Sequence, residues 1–539
     1  MKKLIFSIVL LLFKISTTQA QTIPAQPKLV VGIVVDQMSY EFLYRYADVY
    51  TENGFKRLLR EGYSCENTHY SYIPTYTGPG HASIYTGSVP AINGVVSNDW
   101  YSEVLGRNVY VTEDLSVKPV GAITGNQMSP KNMVTTTITD MLKMSNQQAS
   151  KVIGVALKDR GAILPAGHTA NAAYWYDGSA NAWVTSDFYM ATLPAWVNAL
   201  NAEKQAEKMM NKNWNLLLPA ETYKNATADS VSWETVYIGE ESPKFPHYLP
   251  YNGNSEKIKG TPFGNTLTAN FAKAAIANEE LGKDAITDFL CVSFSSTDYV
   301  GHAYGPHSME IMDTYLRLDR DIADLLTYLD TKIGKGNFMI FLTADHGVSP
   351  TPEYMESLKI PAGTTTETAM TAAMTEIMRN NLGEGEWIKA YANQQIYIND
   401  SLLIAQKKTK KEIFDMLYEP LLRMEGVAYV LQIDALAGST INENIKELVI
   451  NGIYPKRCGD IQILYEPYWF EAYRTSGTTH GSHFSYDTHV PLVFYGWKIP
   501  HGALYRNVKV TDIAPTIAAM LKISEPNGCI GSVISEVIK

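Results

Sequence analysis

Thr75 and Thr77 lie in the stretch Y-I-P-T-Y-T-G-P-G-H-A-S-I-Y-T-G, residues 72–87. Pro74, Gly78, Pro79 and Gly80 bend or free the backbone there, just before a helix-compatible run at 81–85. Such a turn sets a hydroxyl at the mouth of a helix, whose N-terminal amides stabilise negative charge. A threonine hydroxyl is a weak nucleophile at neutral pH and needs a base or a metal to take its proton. The chain carries residues suited to that task. Asp36, Asp298, His302, Asp345, His346 and His480 are three carboxylates and three imidazoles, and five of them follow three apolar, strand-like runs. Mixed His/Asp ligation favours zinc or a similar transition ion over magnesium or calcium, which prefer all-oxygen sites. Two such ions about 4 Å apart could clamp the attacking and leaving oxygens of a phosphoryl transfer.

These residues need a scaffold that brings distant segments together. Residues 28–35 (K-L-V-V-G-I-V-V) read as a buried strand that ends at Asp36. Residues 287–294 and 337–343 are similar runs, the first leading to Asp298 and His302 and the second to Asp345, His346 and Gly347. Ligands of open α/β sheets collect at the carboxyl ends of strands. Asp298 and His302 are four apart and would share one face of a helical turn. A further strand at 151–157 precedes Lys158, Asp159 and Arg160. In an extended segment Lys158 and Arg160, two apart, would project the same way. Amphipathic helices are expected at about 40–60 and 309–329, further helices near 265–281 and 511–521, and a late strand at 490–495. The αβ alternation breaks at about 170–261 and again at about 351–473, which read as two insertions, the first forming one wall of a cleft. The second block is expected to hold helices near 367–381 and 408–424 and strands near 427–433 and 460–465.

The 539 residues are 45% hydrophobic and 19% charged, an ordinary globular composition with ample core. A net charge of -10 supplies no basic field for nucleic acid, so no nucleic-acid partner is expected. An anionic substrate must therefore be attracted by a local site. Lys2 and Lys3, an apolar run at 4–13 and the small residues before Gln21 form a secretory signal with cleavage near Ala20. This predicts a periplasmic or secreted protein whose catalytic domain covers 21–539, with no transmembrane segment in the mature chain. Cys65, Cys291, Cys458 and Cys529 include no C-x-x-C pair, which argues against a cysteine zinc site. Their even number permits two disulfides in any of three pairings.

The ordered motifs resemble a known family. Asp36 after the first strand, Thr77-Gly78-Pro79-Gly80-His81, Thr297-Asp298 with Gly301-His302, Thr343-Ala344-Asp345-His346-Gly347 and the late His480-Gly481 are similar to the alkaline phosphatase superfamily, type I phosphodiesterase/nucleotide pyrophosphatase branch. Within that branch, Asn98 and Lys158-Asp159-Arg160 resemble the monoesterase group of secreted bacterial, PafA-like alkaline phosphatases. The resemblance implies a three-layer α/β/α core with two insertions and two Zn2+ per chain. It implies Thr77 as nucleophile and Asn98, Lys158 and Arg160 as holders of the phosphate oxygens. One zinc would take Asp298, His302 and His480, and the other Asp36, Asp345 and His346. His480 is preferred over His483 and His489 because Thr-His-Gly ahead of the last strand matches the family pattern. Gly80 departs from the asparagine of many diesterase relatives. Sulfatase cousins use a Cys or Ser nucleophile in a C/S-x-P-x-R pattern, which Thr77 and His81 do not match. The implied activity is hydrolysis of small-molecule phosphate monoesters through a phosphothreonine at Thr77. The alternative is a phosphodiesterase or nucleotide pyrophosphatase on the same metals. The two extra cations favour the monoester, whose free oxygens carry more charge than those of a diester.

Overall fold

A computed structural model of the protein describes residues 24–236, 239–249, 251, 253–472 and 476–538. The secretory signal expected from Lys2 to Ala20 lies outside the described residues.

A ten-stranded mixed sheet forms the centre of an α/β/α core. Its strands in chain order are β1 (Leu29–Val35), β2 (Tyr63–Cys65), β3 (Pro119–Val120), β4 (Val152–Ala156), β5 (Ala172–Asp177), β6 (Ala182–Ser186), β7 (Asp288–Phe294), β8 (Phe338–Thr343), β9 (Leu492–Gly496) and β10 (Gly502–Leu504). Across the sheet they run β10-β2-β9-β8-β1-β7-β4-β5-β6-β3. The five strands β8, β1, β7, β4 and β5 are mutually parallel. Every residue of β1, β7 and β8 is buried. Their largely apolar composition, interrupted in β7 only by Asp288 and Ser293 and in β8 only by the terminal Thr343, suits strands covered on both faces.

Register decides what the strands deliver. Val34 of β1 lies opposite Thr343 of β8, Val35 lies opposite Phe294 of β7, and Ser293 lies opposite Ala156 of β4. Four strands therefore end side by side, and the segments after them, carrying Asp36, Asp298, Asp345 and Lys158, share one edge.

The helix expected at 309–329 forms as Met309–Leu329, with Ser308 capping it by accepting from the Ile311 amide at 3.1 Å. The helix expected at 40–60 does not form as one piece. It is split into Phe42–Arg45 and Phe55–Glu61. Asp319 of the long helix takes up the gap, accepting from the amides of Thr51 at 2.7 Å and Phe55 at 2.8 Å. A Cβ on Gly54 would lie 2.4 Å from the Asp319 carbonyl, so close packing of the two elements wins over local amphipathicity.

The block at 170–261 begins with β5 and β6, which extend the main sheet. The block at 351–473 builds a separate four-stranded sheet, in the order Ile388–Ala392, Gln395–Ile398, Ile461–Tyr465, Val427–Gln432. Helices Glu367–Leu382 and Lys410–Leu422 pack on it around a core that includes Met370, Met374, Ile396, Leu417 and Ile463. All four cysteines are unpaired thiols, and Cys65 and Cys291 are buried.

Candidate active site

Thr77 opens the helix Thr77–Thr86, with Tyr76 as an extended N-cap before it. Its hydroxyl stands at the helix N-terminus, 3.4 Å from His346 Nε2 and 3.5 Å from Lys158 Nζ. Thr75 faces elsewhere, its hydroxyl donating to the Ser482 carbonyl at 3.1 Å. The helix sits tightly on the end of β8, because a Cβ at Gly80 would come within 2.2 Å of the Asp345 carbonyl. That contact leaves no room for a side chain at position 80.

The six expected donors converge. Donor atoms of Asp36, Asp345 and His346 all lie within 4.8 Å of one another, and so do those of Asp298, His346 and His480. His302 Nε2 is 3.1 Å from Asp298 Oδ1, and His480 Nε2 is 3.6 Å from the same oxygen. Each imidazole is oriented by a backbone carbonyl that accepts from its Nδ1: Thr478 for His302 at 2.7 Å, Gly347 for His346 at 2.9 Å and Thr75 for His480 at 2.7 Å. A carbonyl only accepts, so Nδ1 carries the proton and Nε2 presents its lone pair to the cluster. His483 and His489 stand apart from both donor sets. His489 Nε2 pairs with the Glu66 carbonyl at 3.0 Å.

Lys158 lies between the two donor sets, 2.7 Å from Asp36 Oδ2 and 2.6 Å from Asp298 Oδ2. Lys158 and Arg160 do not extend from a strand as the spacing suggested. Lys158 is the N-cap of helix Asp159–Ala166 and Arg160 belongs to its first turn. Arg160 Nη1 donates to the Tyr110 hydroxyl at 2.9 Å, and that hydroxyl in turn donates to Asp159 at 2.9 Å. Asn98 Oδ1 accepts from the Gly78 amide at 2.8 Å, which leaves its Nδ2 as the outward donor.

Burial sets the protonation of this cluster. It pushes the Asp36 carboxyl up to about 6 against the pull of Lys158. Burial, with Asp36 alongside, raises Asp345 well above the usual carboxylate range. Burial also works against the charge on Asp298, but His302 and Lys158 outweigh it and hold that carboxyl well below normal. Burial brings His480 down to about 3. Three buried carboxyl groups thus crowd around the single ammonium of Lys158, an arrangement that cations would stabilise. The donors fit that role, since Asp36 Oδ1 and Asp345 Oδ2 are buried and accept no hydrogen bond.

Gln37 is a site residue that spacing did not reveal. Its backbone is left-handed, with φ 64°. Its amide donates to Asp345 Oδ1 at 3.1 Å and its side chain to Asp298 Oδ1 at 2.8 Å, so one residue braces a carboxylate of each set. Its position next to Asp36 is the only hint in the sequence. Tyr110 carried no signal at all.

The cluster opens into a cleft of about 850 Å³. The wall opposite the nucleophile comes from the second sheet and its flank, including Asn393, Gln394, Gln462, Tyr465 and Trp469. The block at 170–261, expected to form one wall, contributes no lining residue among those described.

Parallel strands ending in an Asp/His cluster, with a hydroxyl at a facing helix N-terminus, define an alkaline-phosphatase-like α/β fold. The chain belongs to the type I phosphodiesterase/nucleotide pyrophosphatase family, whose profile matches residues 30–487. It is 44% identical over 542 residues to alkaline phosphatase PafA of Elizabethkingia meningoseptica, covering 100% of this chain and 99% of that one. It is 45% identical over 521 residues to alkaline phosphatase PhoV of Synechococcus elongatus, covering 96% and 94%. A protein of Myroides odoratus named calcium-transporting ATPase is 49% identical over 521 residues, 95% of each chain. Among the described residues of this chain, no helix is long and apolar enough to cross a membrane. The crystal structure of wild-type PafA superposes with a TM-score of 0.93 at 45% identity, covering 95% of this chain and 99% of that one. A PafA variant, with a threonine changed to serine and an asparagine, a lysine and an arginine changed to alanine, gives 0.92 at 43% identity over the same shares.

Proposed function

We propose that this protein is an alkaline phosphatase that hydrolyses small-molecule phosphate monoesters with two zinc ions and Thr77 as nucleophile. The observation that carries the reading is the Thr77 hydroxyl at a helix N-terminus, within 3.5 Å of both His346 and Lys158. Asp298, His302 and His480 would hold one ion and Asp36, Asp345 and His346 the other. Bound there, the ions would lower the pKa of the Thr77 hydroxyl and offset charge on the substrate oxygens.

The chain's own groups do the rest. Helix amides would face the incoming dianion, and Asn98 Nδ2, Lys158 and Arg160 would hold its non-bridging oxygens. Thr77 Oγ forms the bond to phosphorus as the ester P–O bond breaks, and the Thr77 proton ends on the departing alcohol. Water then cleaves the phosphothreonine, restoring the hydroxyl and releasing inorganic phosphate. Thr77, Asn98, Lys158 and Arg160 are of the four types altered in the PafA variant, in the same chain order, which supports their assignment. We place the mature protein in the periplasm or outside the cell, free of nucleic-acid partners.

Cleavage of phosphodiesters or nucleotide pyrophosphates is the second reading, favoured by the size of the cleft and by the family's description. The deciding experiment compares kcat/KM for an aryl phosphate monoester and the matching diester, with bound metal measured on the same sample. A diester preference would displace the phosphatase reading.

A further inference from the structure

The first two strands of the second sheet, Ile388–Ala392 and Gln395–Ile398, pair antiparallel with Ala392 opposite Gln395, leaving a two-residue turn of Asn393 and Gln394. Both turn residues have positive φ, 54° and 58°. That is the tight hairpin geometry that follows strand twist, and asparagine tolerates it better than most residues. Turn geometry accounts for an asparagine here, but not for the destination of its side chain.

The Asn393 side chain crosses to the nucleophile side of the cleft. Its Oδ1 accepts from Ser97 Oγ at 2.8 Å, and its Nδ2 donates to the Asp99 carbonyl at 2.8 Å. Ser97 and Asp99 are the two chain neighbours of Asn98. A primary amide offers the acceptor and the donor on one planar group that this double contact needs. Ser97 is buried, while Asn393 and Asp99 are partly exposed along the cleft. Asn98 itself is tied to the nucleophile helix through the Gly78 amide at 2.8 Å.

We infer that Asn393 is a positioning residue for the reaction. Held on both flanks by this side chain, the Asn98 backbone presents Nδ2 to the phosphoryl oxygens at a fixed depth in the cleft. The inference rests on the reading of Asn98 given above, and it makes the second sheet part of the phosphate-binding apparatus.

A double-variant cycle on the full-length, zinc-loaded protein tests it, with kcat/KM for an aryl phosphate monoester and inhibition by inorganic phosphate as readouts. Asn393→Gly keeps the positive φ and removes only the side chain. It should lower kcat/KM about ten-fold and weaken phosphate inhibition, with zinc content unchanged. It should cost nothing further once Asn98 is alanine. Ser97→Ala cuts one arm of the clamp without touching the turn and should depend on Asn98 in the same way. If Asn393→Gly does not fold, Ser97→Ala decides alone. Losses that multiply with Asn98→Ala, or clamp variants that match the wild type while Asn98→Ala is impaired, overturn the inference and leave the phosphatase reading standing. A fully active Asn98→Ala removes the phosphate-binding role of Asn98 and this inference with it.

Discussion

The ring of His346 lies flat against that of His480, with centroids 3.5 Å apart and planes 11° from parallel. One histidine follows β8 and the other precedes the last strands, so two rings that lie 134 residues apart in the sequence bring one member of each expected donor set into contact. Both rings are turned by backbone carbonyls, leaving two Nε2 lone pairs side by side.

Elemental analysis of the purified mature protein should find about two zinc ions per chain, since three protein donors plus substrate complete a tetrahedral catalytic ion. Chelation should abolish activity and zinc should restore it. Replacing His346, which belongs to both close donor sets, with Asn should lower zinc content as well as turnover. Full activity with stoichiometric magnesium alone would reject the zinc assignment.

Thr77→Ala should remove nearly all turnover, a loss of about a thousand-fold or more, while zinc content stays close to normal, because the hydroxyl attacks without building the donor cage. Rapid quenching with a labelled monoester should trap phosphate on Thr77 in the wild type and on nothing in the variant. A phosphoenzyme that survives the substitution would move the role to Thr75.

Lys158→Ala combined with Arg160→Ala should narrow the monoester-to-diester ratio. Each charged hydrogen bond is worth about 1.5 to 3 kcal/mol. Loss of both should therefore cost monoester kcat/KM roughly two to four orders of magnitude. The diester, with one of those oxygens esterified, should lose much less. Equal losses would mean the pair serves folding, a live alternative because Lys158 also bridges Asp36 and Asp298.

Stability should carry a histidine signature outside the donor cluster. Burial, with Arg45 beside it, brings His307 down to about 3, and its ring stacks on Tyr354 at 4.2 Å. In the unfolded chain the same ring titrates near 6.5. Its neutral form thus adds stability that is fully present above about 6.5 and lost as pH falls toward about 3. His307→Phe keeps a ring on Tyr354 and removes the titration. Urea midpoints measured from pH 7 to 4 should fall more steeply in the wild type than in this variant, and parallel curves would contradict the assignment.

N-terminal sequencing of the exported protein should begin at or near Gln21, consistent with a signal removed near Ala20. A mature chain that retains Lys2 and Lys3 would rule out cleavage.

The sequence by itself determined which groups are available and on which elements they ride. Mostly apolar runs mark β1, β7 and β8 to within about a residue of their ends. The functional side chains follow those runs directly, so local pattern and chemistry point to the same edge of the sheet. Motif order supplied the family in the same way, because chain order needs no coordinates. Only the tertiary structure decided how those segments meet, since register between strands hundreds of residues apart leaves no local trace. It placed Lys158 between Asp36 and Asp298 as a helix cap, where residue spacing suggested an extended arm. It twisted Gln37 into a left-handed conformation to brace two carboxylates. It tied Arg160 to Tyr110, and it gave the cleft wall to the second sheet. It also broke the helix expected at 40–60, because a buried carboxylate, Asp319, satisfies the amides of Thr51 and Phe55 better than another turn of helix would. Amphipathic spacing reports which face of an element is apolar. It does not report which distant side chain will compete for the backbone, and that competition is settled only when the core packs.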